Sequence, residues 1–165
     1  MFFWILGCSA EKNSVQDDVP WIELSSWQQL DLTLDPLSEH QPETIDCQLQ
    51  AFRMEFEQLE IQTEFCNYAA LSFQTQKELS ADTQLEALLL HTGLWALEES
   101  TAHFAFFVDG ELFWEEHPPI PSDSDFFFVE RSLSRTVPSG STVVFHLHNH
   151  GVNDWKIGYF KEANR

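Results

Sequence analysis

Hydrophobic residues recur at every second position through most of this chain, broken at short intervals by turn residues. Phe52, Met54 and Phe56 alternate with Arg53 and Glu55, and Leu59 and Ile61 flank Glu60. Residues 68–73 follow a Cys66-Asn67 corner. His103–Val108 is rich in Phe and runs into Asp109-Gly110, a hairpin dipeptide, after which residues 111–115 return. Residues 126–130, 142–149 and 155–160 repeat the pattern, with a turn at 150–154. His117-Pro118-Pro119-Ile120-Pro121 reads as a rigid extended connection. Successive side chains on a strand point to opposite faces, so a period of two predicts half-buried strands. About seven to nine such strands predict an all-β domain, an antiparallel β-sandwich of jelly-roll type. Residues 85–97, apolar on both faces, predict a buried strand kinked at Gly93. Two stretches also admit a helix: 48–60, and 76–90, where Ser80 to Thr83 has a capping pattern.

The chain can fill such a core. Of its 165 residues, 43% are hydrophobic, including 15 Phe and 6 Trp, enough for one domain plus a tail. Its net charge of −19, from 27 acidic residues against 8 Lys and Arg, repels nucleic acid and an anionic bilayer alike. Cationic partners, metal ions among them, are attracted.

The N-terminus reads MFFWILGCSA, and Ile5-Leu6-Gly7-Cys8 resembles the lipobox of bacterial lipoproteins. The resemblance implies cleavage of a signal peptide before Cys8 and acylation of its thiol, which carries diacylglycerol and palmitate-type chains. Only six residues precede Gly7 and none is basic, so the signal is short of the usual pattern and a start codon further upstream is expected. No other run approaches the roughly 20 apolar residues of a membrane span. The expected organisation is therefore a signal remnant at 1–7, an acidic tether at 8–44 and a sandwich domain at 45–165. Trp21, Ile22, Leu24, Trp27, Leu30, Leu32 and Leu34 predict that the tether docks in part, as an amphipathic turn or as a first strand at 30–34. The expected location is the bacterial cell envelope, at the outer membrane or cell surface, with the membrane as partner through the lipid. An acylated Cys8 leaves Cys47 and Cys66 as a pair, which an exported compartment joins in a disulfide. Three cysteines without a CxxC spacing argue against a zinc knuckle.

The most distinctive stretch is TVVFHLHNHGVNDWKI. Alternation puts Val143, Phe145 and Leu147 on the core face and Val144, His146, His148 and His150 on the other. Two histidines two residues apart on a strand can converge on one ion, the spacing used by cupins and carbonic anhydrases, although the cupin glycine spacing is missing. Such a site needs further ligands from neighbouring strands, for which His103 and His91 are candidates. Imidazoles suit zinc or copper. The competing reading makes the histidines the polar face of a strand and needs no cofactor. FHLHNHGVNDW, Cys66-Asn67-Tyr68 and Gly110-Glu111-Leu112-Phe113-Trp114-Glu115 also resemble stretches of uncharacterised bacterial lipoproteins, which implies fold and location but no activity.

No nucleophile elbow, P-loop, HExxH or dinucleotide fingerprint is present, so no catalytic residue is assigned. The carboxylates Glu115, Glu116 and Asp125 lie near aromatics without forming a recognisable glycosidase pair. Sandwich modules often stack sugars on aromatic rings, which makes Trp114, Trp155 and Tyr68 candidate glycan or partner contacts. Taken together, the residues predict an exported, lipid-anchored, non-catalytic binding or structural domain of the surface or periplasm with a protein or glycan partner; a zinc or copper protein or metalloenzyme built on His146 and His148 is the alternative, and a carbohydrate-binding module the second alternative.

Overall fold

The computed structural model describes residues 24–163. Ile5 to Cys8, and with them the lipidation site, lie outside the described residues. The strands are β1 (Gln28–Gln29), β2 (Phe52–Glu55), β3 (Gln58–Gln62), β4 (Tyr68–Gln74), β5 (Gln84–His91), β6 (Ser100–Thr101), β7 (His103–Val108), β8 (Glu111–Glu116), β9 (Pro119–Ile120), β10 (Asp125–Ser132), β11 (Thr142–His148) and β12 (Asp154–Glu162). They form one five-stranded sheet in the order β1-β4-β11-β7-β8 and another in the order β10-β5-β12-β3-β2, with β6 and β9 as a separate pair. Every pairing is antiparallel. The fold is the antiparallel β-sandwich that the alternation predicts.

The inner faces supply the core. Phe104, Phe106, Val143, Phe145, Leu147, Leu71 and Phe73 come from the first sheet, and Leu85, Leu89, Ile61, Trp155, Ile157 and Phe160 from the second. Phe106 stacks on Phe160 across the sandwich, with centroids 5.1 Å apart. Each fully buried side chain of this size stabilises the fold by about 1.5–3 kcal/mol.

The helical alternatives do not form. Residues 76–83 make turns, with the Thr83 N–H donating to the Ser80 carbonyl, and β5 follows. Residues 48–60 form a three-residue 3₁₀ turn at Leu49–Ala51 and then the β2–β3 hairpin. The strand expected over 85–97 stops at His91 and alternates buried with half-buried residues. Leu88 and Leu90 face outward, on a sheet face that no other layer covers among the described residues.

The β2–β3 turn is strained. Phe56 (φ 48°) and Glu57 (φ 62°) both adopt the left-handed conformation of a type I′ turn, which favours Asn-Gly. Phe56 is 89% exposed, so its replacement removes little packing. The pair Phe56→Asn, Glu57→Gly is expected to raise stability by about 1 kcal/mol, read as an upward shift of the urea midpoint without a change of slope.

Part of the segment before residue 44 packs on the sandwich. Trp27 stands edge-on to Phe73 with centroids 4.6 Å apart, and β1 pairs with β4. No strand forms at 30–34; Leu32–Leu34 is a 3₁₀ turn capped by Asp31, whose side chain accepts from the Thr33 N–H. Residues 30–41 lie across the outer face of the first sheet as a strap. Cys47 and Cys66 are joined in a disulfide, 19 residues apart.

Candidate functional site: a histidine face under a strap

β11 lies in the middle of its sheet, between β4 and β7. Its odd residues enter the core and its even residues face outward, as alternation requires. Register sets His148 opposite Tyr68 on β4 and His103 on β7, and sets His146 between Ala70 and Ala105. Those two alanines leave room above His146, and the strap occupies it. The Leu30 N–H donates to the Ala70 carbonyl at 2.9 Å, and Leu30 and Leu37 pack on Ala105, Phe107 and Val144.

The strap brings in Asp35, which is 4% exposed. Its Oδ2 accepts the Tyr68 hydroxyl at 2.5 Å and lies 3.2 Å from His146 Nδ1, while Oδ1 accepts the Leu37 N–H at 2.9 Å. Burial pushes the Asp35 carboxyl up, but its hydrogen bonds with His146, Tyr68 and Leu37 outweigh that and hold it below the usual carboxylate range. The Tyr68 hydroxyl is raised, first by burial and then by the carboxylate beside it. A carboxylate facing Nδ1 places a proton on that nitrogen. His146 Nε2 is buried and has no hydrogen-bond partner among the described residues.

Further histidines collect at one end of this face. His103 Nε2 lies 3.3 Å from Glu115 Oε2, and His117 Nε2 lies 4.0 Å from the same oxygen. Ligand atoms of His103, Glu115 and His117 all lie within 4.8 Å of one another. The His103 ring stacks on His117 at 4.2 Å, with His40 at 5.0 Å and His146 at 5.2 Å. Tyr68 bridges the rings of His146 (4.8 Å) and His148 (5.6 Å), and His148 meets His150 at 4.8 Å. Six of the seven histidines in the chain thus form one patch.

The seventh, His91, does not join it. It sits at the end of β5 in the opposite sheet, against Trp155 at 4.8 Å and Phe127 at 5.6 Å, with Nδ1 2.6 Å from the Thr92 carbonyl. Its parity with Leu89 turns it inward, away from the other histidines.

Burial, together with the neighbouring imidazoles His146 and His117, pushes His103 down to about 4 despite Glu115. Burial, then His150, His146 and His40, pushes His148 down to about 4. Both rings are therefore neutral at pH 7, the form in which imidazole binds metal. The unfolded chain takes up these protons near pH 6.5 and the folded chain only near 4. Stability from this source is complete above pH 6.5 and falls as pH drops from there toward 4. With solvent screening allowed for, the loss in metal-free buffer is about 2–4 kcal/mol for the pair. Urea midpoints measured from pH 7 to 4.5 are expected to fall throughout; a flat profile contradicts the shifts.

The candidate sugar contacts are not at the surface. Trp114 is 4% exposed, Trp155 0% and Tyr68 1%. A bulge in the β7–β8 pairing, at Phe106/Phe107, turns both Phe113 and Trp114 toward the core and leaves Leu112 outside. Trp155 donates Nε1–H to Asn149 Oδ1 at 3.0 Å, and Asn149 Nδ2 donates to Thr63 Oγ1 at 3.1 Å. The Trp95 N–H donates to Asn153 Oδ1 at 2.6 Å. Gly151 (φ +86°) passes so close to Trp95 that an added Cβ would lie 2.0 Å from its carbonyl oxygen. NHGVNDW is thus a structural turn, and the chemistry of TVVFHLHNHGVNDWKI lies in its histidines. Asp35, His40 and His117 carry no local signal in the sequence. Asp35 reads as half of an Asp-Pro break, and the two histidines stand alone among charged or proline-rich neighbours.

No protein-family model and no curated protein matches the chain. Several solved structures are similar to the chain at low identity. A structure described as "CBM4 structure and function" is 9% identical, with TM-score 0.45, covering 69% of this chain and 88% of that one. "Structure of CBM35 from Paenibacillus barcinonensis" is 10% identical, with TM-score 0.37 and coverage of 87% and 96%. "Family 16 Carbohydrate Binding Module-2" is 7% identical, with TM-score 0.41 and coverage of 73% and 85%.

Proposed function

We propose that this protein is an exported, lipid-anchored, non-catalytic binding domain whose ligand is a divalent transition metal, zinc or copper, held on the histidine face. The observation that carries this reading is the convergence of ligand atoms of His103, His117 and Glu115 within 4.8 Å of one another, inside a patch of six histidines. A tetrahedral ion with bonds of about 2.0–2.1 Å sets its ligand atoms about 3.3–3.5 Å apart. The His103–Glu115 separation of 3.3 Å already meets this, and His117, at 4.0 Å from Glu115, is an exposed side chain that closes the difference by tilting out of its stack on His103. The Cys47–Cys66 disulfide supports an oxidising compartment, and the lipobox resemblance supports the anchor.

Elemental analysis of untagged protein after zinc or copper challenge and desalting tests the metal reading. About one equivalent is expected in the parent and none in His103→Ala/His117→Ala. A parent that retains no metal refutes it. Mass spectrometry of membrane-expressed protein from an extended start site tests the anchor; an unmodified Cys8 removes it.

A second reading rests on the other sheet. Its outer face presents Phe126 (64% exposed) and Phe128 (50%) beside Leu88, Leu90 and Tyr159. Such a strip suits stacking of a glycan in place of the buried Trp114, Trp155 and Tyr68. Retardation on polysaccharide gels, lost in Phe126→Ala/Phe128→Ala, would support it.

A further inference from the structure

The strap is firmly anchored to the first sheet at one end. It enters at Leu30, is pinned by Asp35 to Tyr68 and His146, and covers Val144, Ala105 and Phe107 through Leu30 and Leu37. Beyond Leu37 the strap meets the sheet through the Gln41 side chain, which hydrogen-bonds Tyr68, and through the ring of His40. Ser38–His40 is a single 3₁₀ turn, and the Gln41 side chain donates back to Leu32 within the strap itself at 2.9 Å. A turn of three residues has little stability of its own. Yet this turn carries His40, an exposed residue whose ring lies 5.0 Å from His103. The cluster of His103, Glu115 and His117 offers three ligand atoms, one short of the four that zinc takes in a closed site.

We infer that His40 is the fourth protein ligand, and that the ion clasps the end of the strap onto the sheet. This rests on the metal reading given above. The four groups come from separate parts of the chain: the strap, β7, β8 and the link after β8. An ion shared among them joins segments far apart in sequence, much as a disulfide does. Binding that requires the docked strap stabilises docking in return, because the coupling is reciprocal. Metal occupancy therefore sets how firmly residues 31–41 hold to the histidine face, along the segment through which the domain continues toward its N-terminus. Asp35 shares in the arrangement: it orients His146 through Nδ1, and its own position depends on the strap being docked.

The experiment uses the full chain, stripped with chelator, as parent, His40→Ala and His103→Ala/His117→Ala. Zinc affinity is measured by competition with a chromophoric chelator, and amide hydrogen exchange is followed over residues 31–41 with and without zinc. His40 is exposed, so its replacement by Ala leaves the fold intact, which circular dichroism verifies. The expected result is about tenfold or greater loss of zinc affinity in His40→Ala. Zinc is also expected to slow exchange of the strap amides in the parent and to leave His40→Ala unchanged. Unaltered affinity in His40→Ala, or parent strap exchange indifferent to zinc, overturns the clasp while the three-residue site stands. A parent that binds no zinc or copper overturns the underlying metal reading instead.

Discussion

Asp35→Ala is expected to destabilise the protein by about 3–5 kcal/mol at pH 7, the usual cost of removing one partner from a buried charged hydrogen-bond network. Asp35 and His146 are fully buried at their side chains, and Tyr68 shares the same oxygen. Without the carboxylate, the Tyr68 hydroxyl keeps the Leu37 carbonyl at 3.2 Å and the Gln41 side chain, and the proton on His146 Nδ1 loses its acceptor. An unsatisfied buried donor costs about 1–3 kcal/mol. The measurement is urea unfolding of the parent, Asp35→Ala, His146→Ala and the double variant. If the two residues act as a pair, the double variant loses less than the sum of the singles, by about 1–3 kcal/mol. Additive losses would mean that Asp35 supports the strap without orienting His146. A loss below about 1 kcal/mol in Asp35→Ala would mean that the strap adds little to the fold, and would weaken the case for a clasp as well.

The second large effect is loss of the disulfide. Cys47→Ala/Cys66→Ala is expected to cost about 3 kcal/mol, the chain-entropy value for a loop of about 20 residues. The location of the bond gives the loss a further consequence. Asn67, next to Cys66, accepts the Asp46 N–H at 2.9 Å and donates Nδ2 to the Thr44 carbonyl at 2.9 Å. Its own carbonyl accepts the Asn149 N–H at 3.2 Å. The corner therefore ties the chain just past the strap to the end of β11, and Tyr68 follows it directly. Without the bond, the strap is expected to exchange amide hydrogens faster, in addition to the drop in urea midpoint. A thiol count on the unfolded, unreduced protein should find Cys47 and Cys66 blocked. Two free thiols would remove both the bond and its support for an exported location.

Alternation in the sequence was enough to place His146 and His148 away from the core and His103 on the matching face of its own strand. A strand has only two faces, so parity decides the matter once Phe145 and Leu147 are committed to the interior. The same rule predicted the sandwich, and the Asp109-Gly110 turn predicted the β7–β8 hairpin. Parity does not fix the faces of β8, because a bulge in its pairing with β7 turns both Phe113 and Trp114 inward, and the position of a bulge is set by packing. It could not exclude a helix at 76–90, where a short apolar run looks the same in either structure until the opposite sheet is present.

The candidate site depended on contacts across long separations. Asp35 meets His146 over 111 residues and His40 meets His103 over 63, so no local pattern announces either pair. The sequence showed an acidic, proline-broken segment, read as a tether that docks in part, but not where it docks. The fold turned that segment into the layer over the histidine face, because Ala70 and Ala105 leave a shallow channel there and Asp35 finds two buried donors at its floor. Side-chain direction along one strand follows from covalent geometry and could be read from the chain. Which distant segment lies on that strand follows from shape and hydrogen-bond complementarity, which exist only once both sheets are assembled.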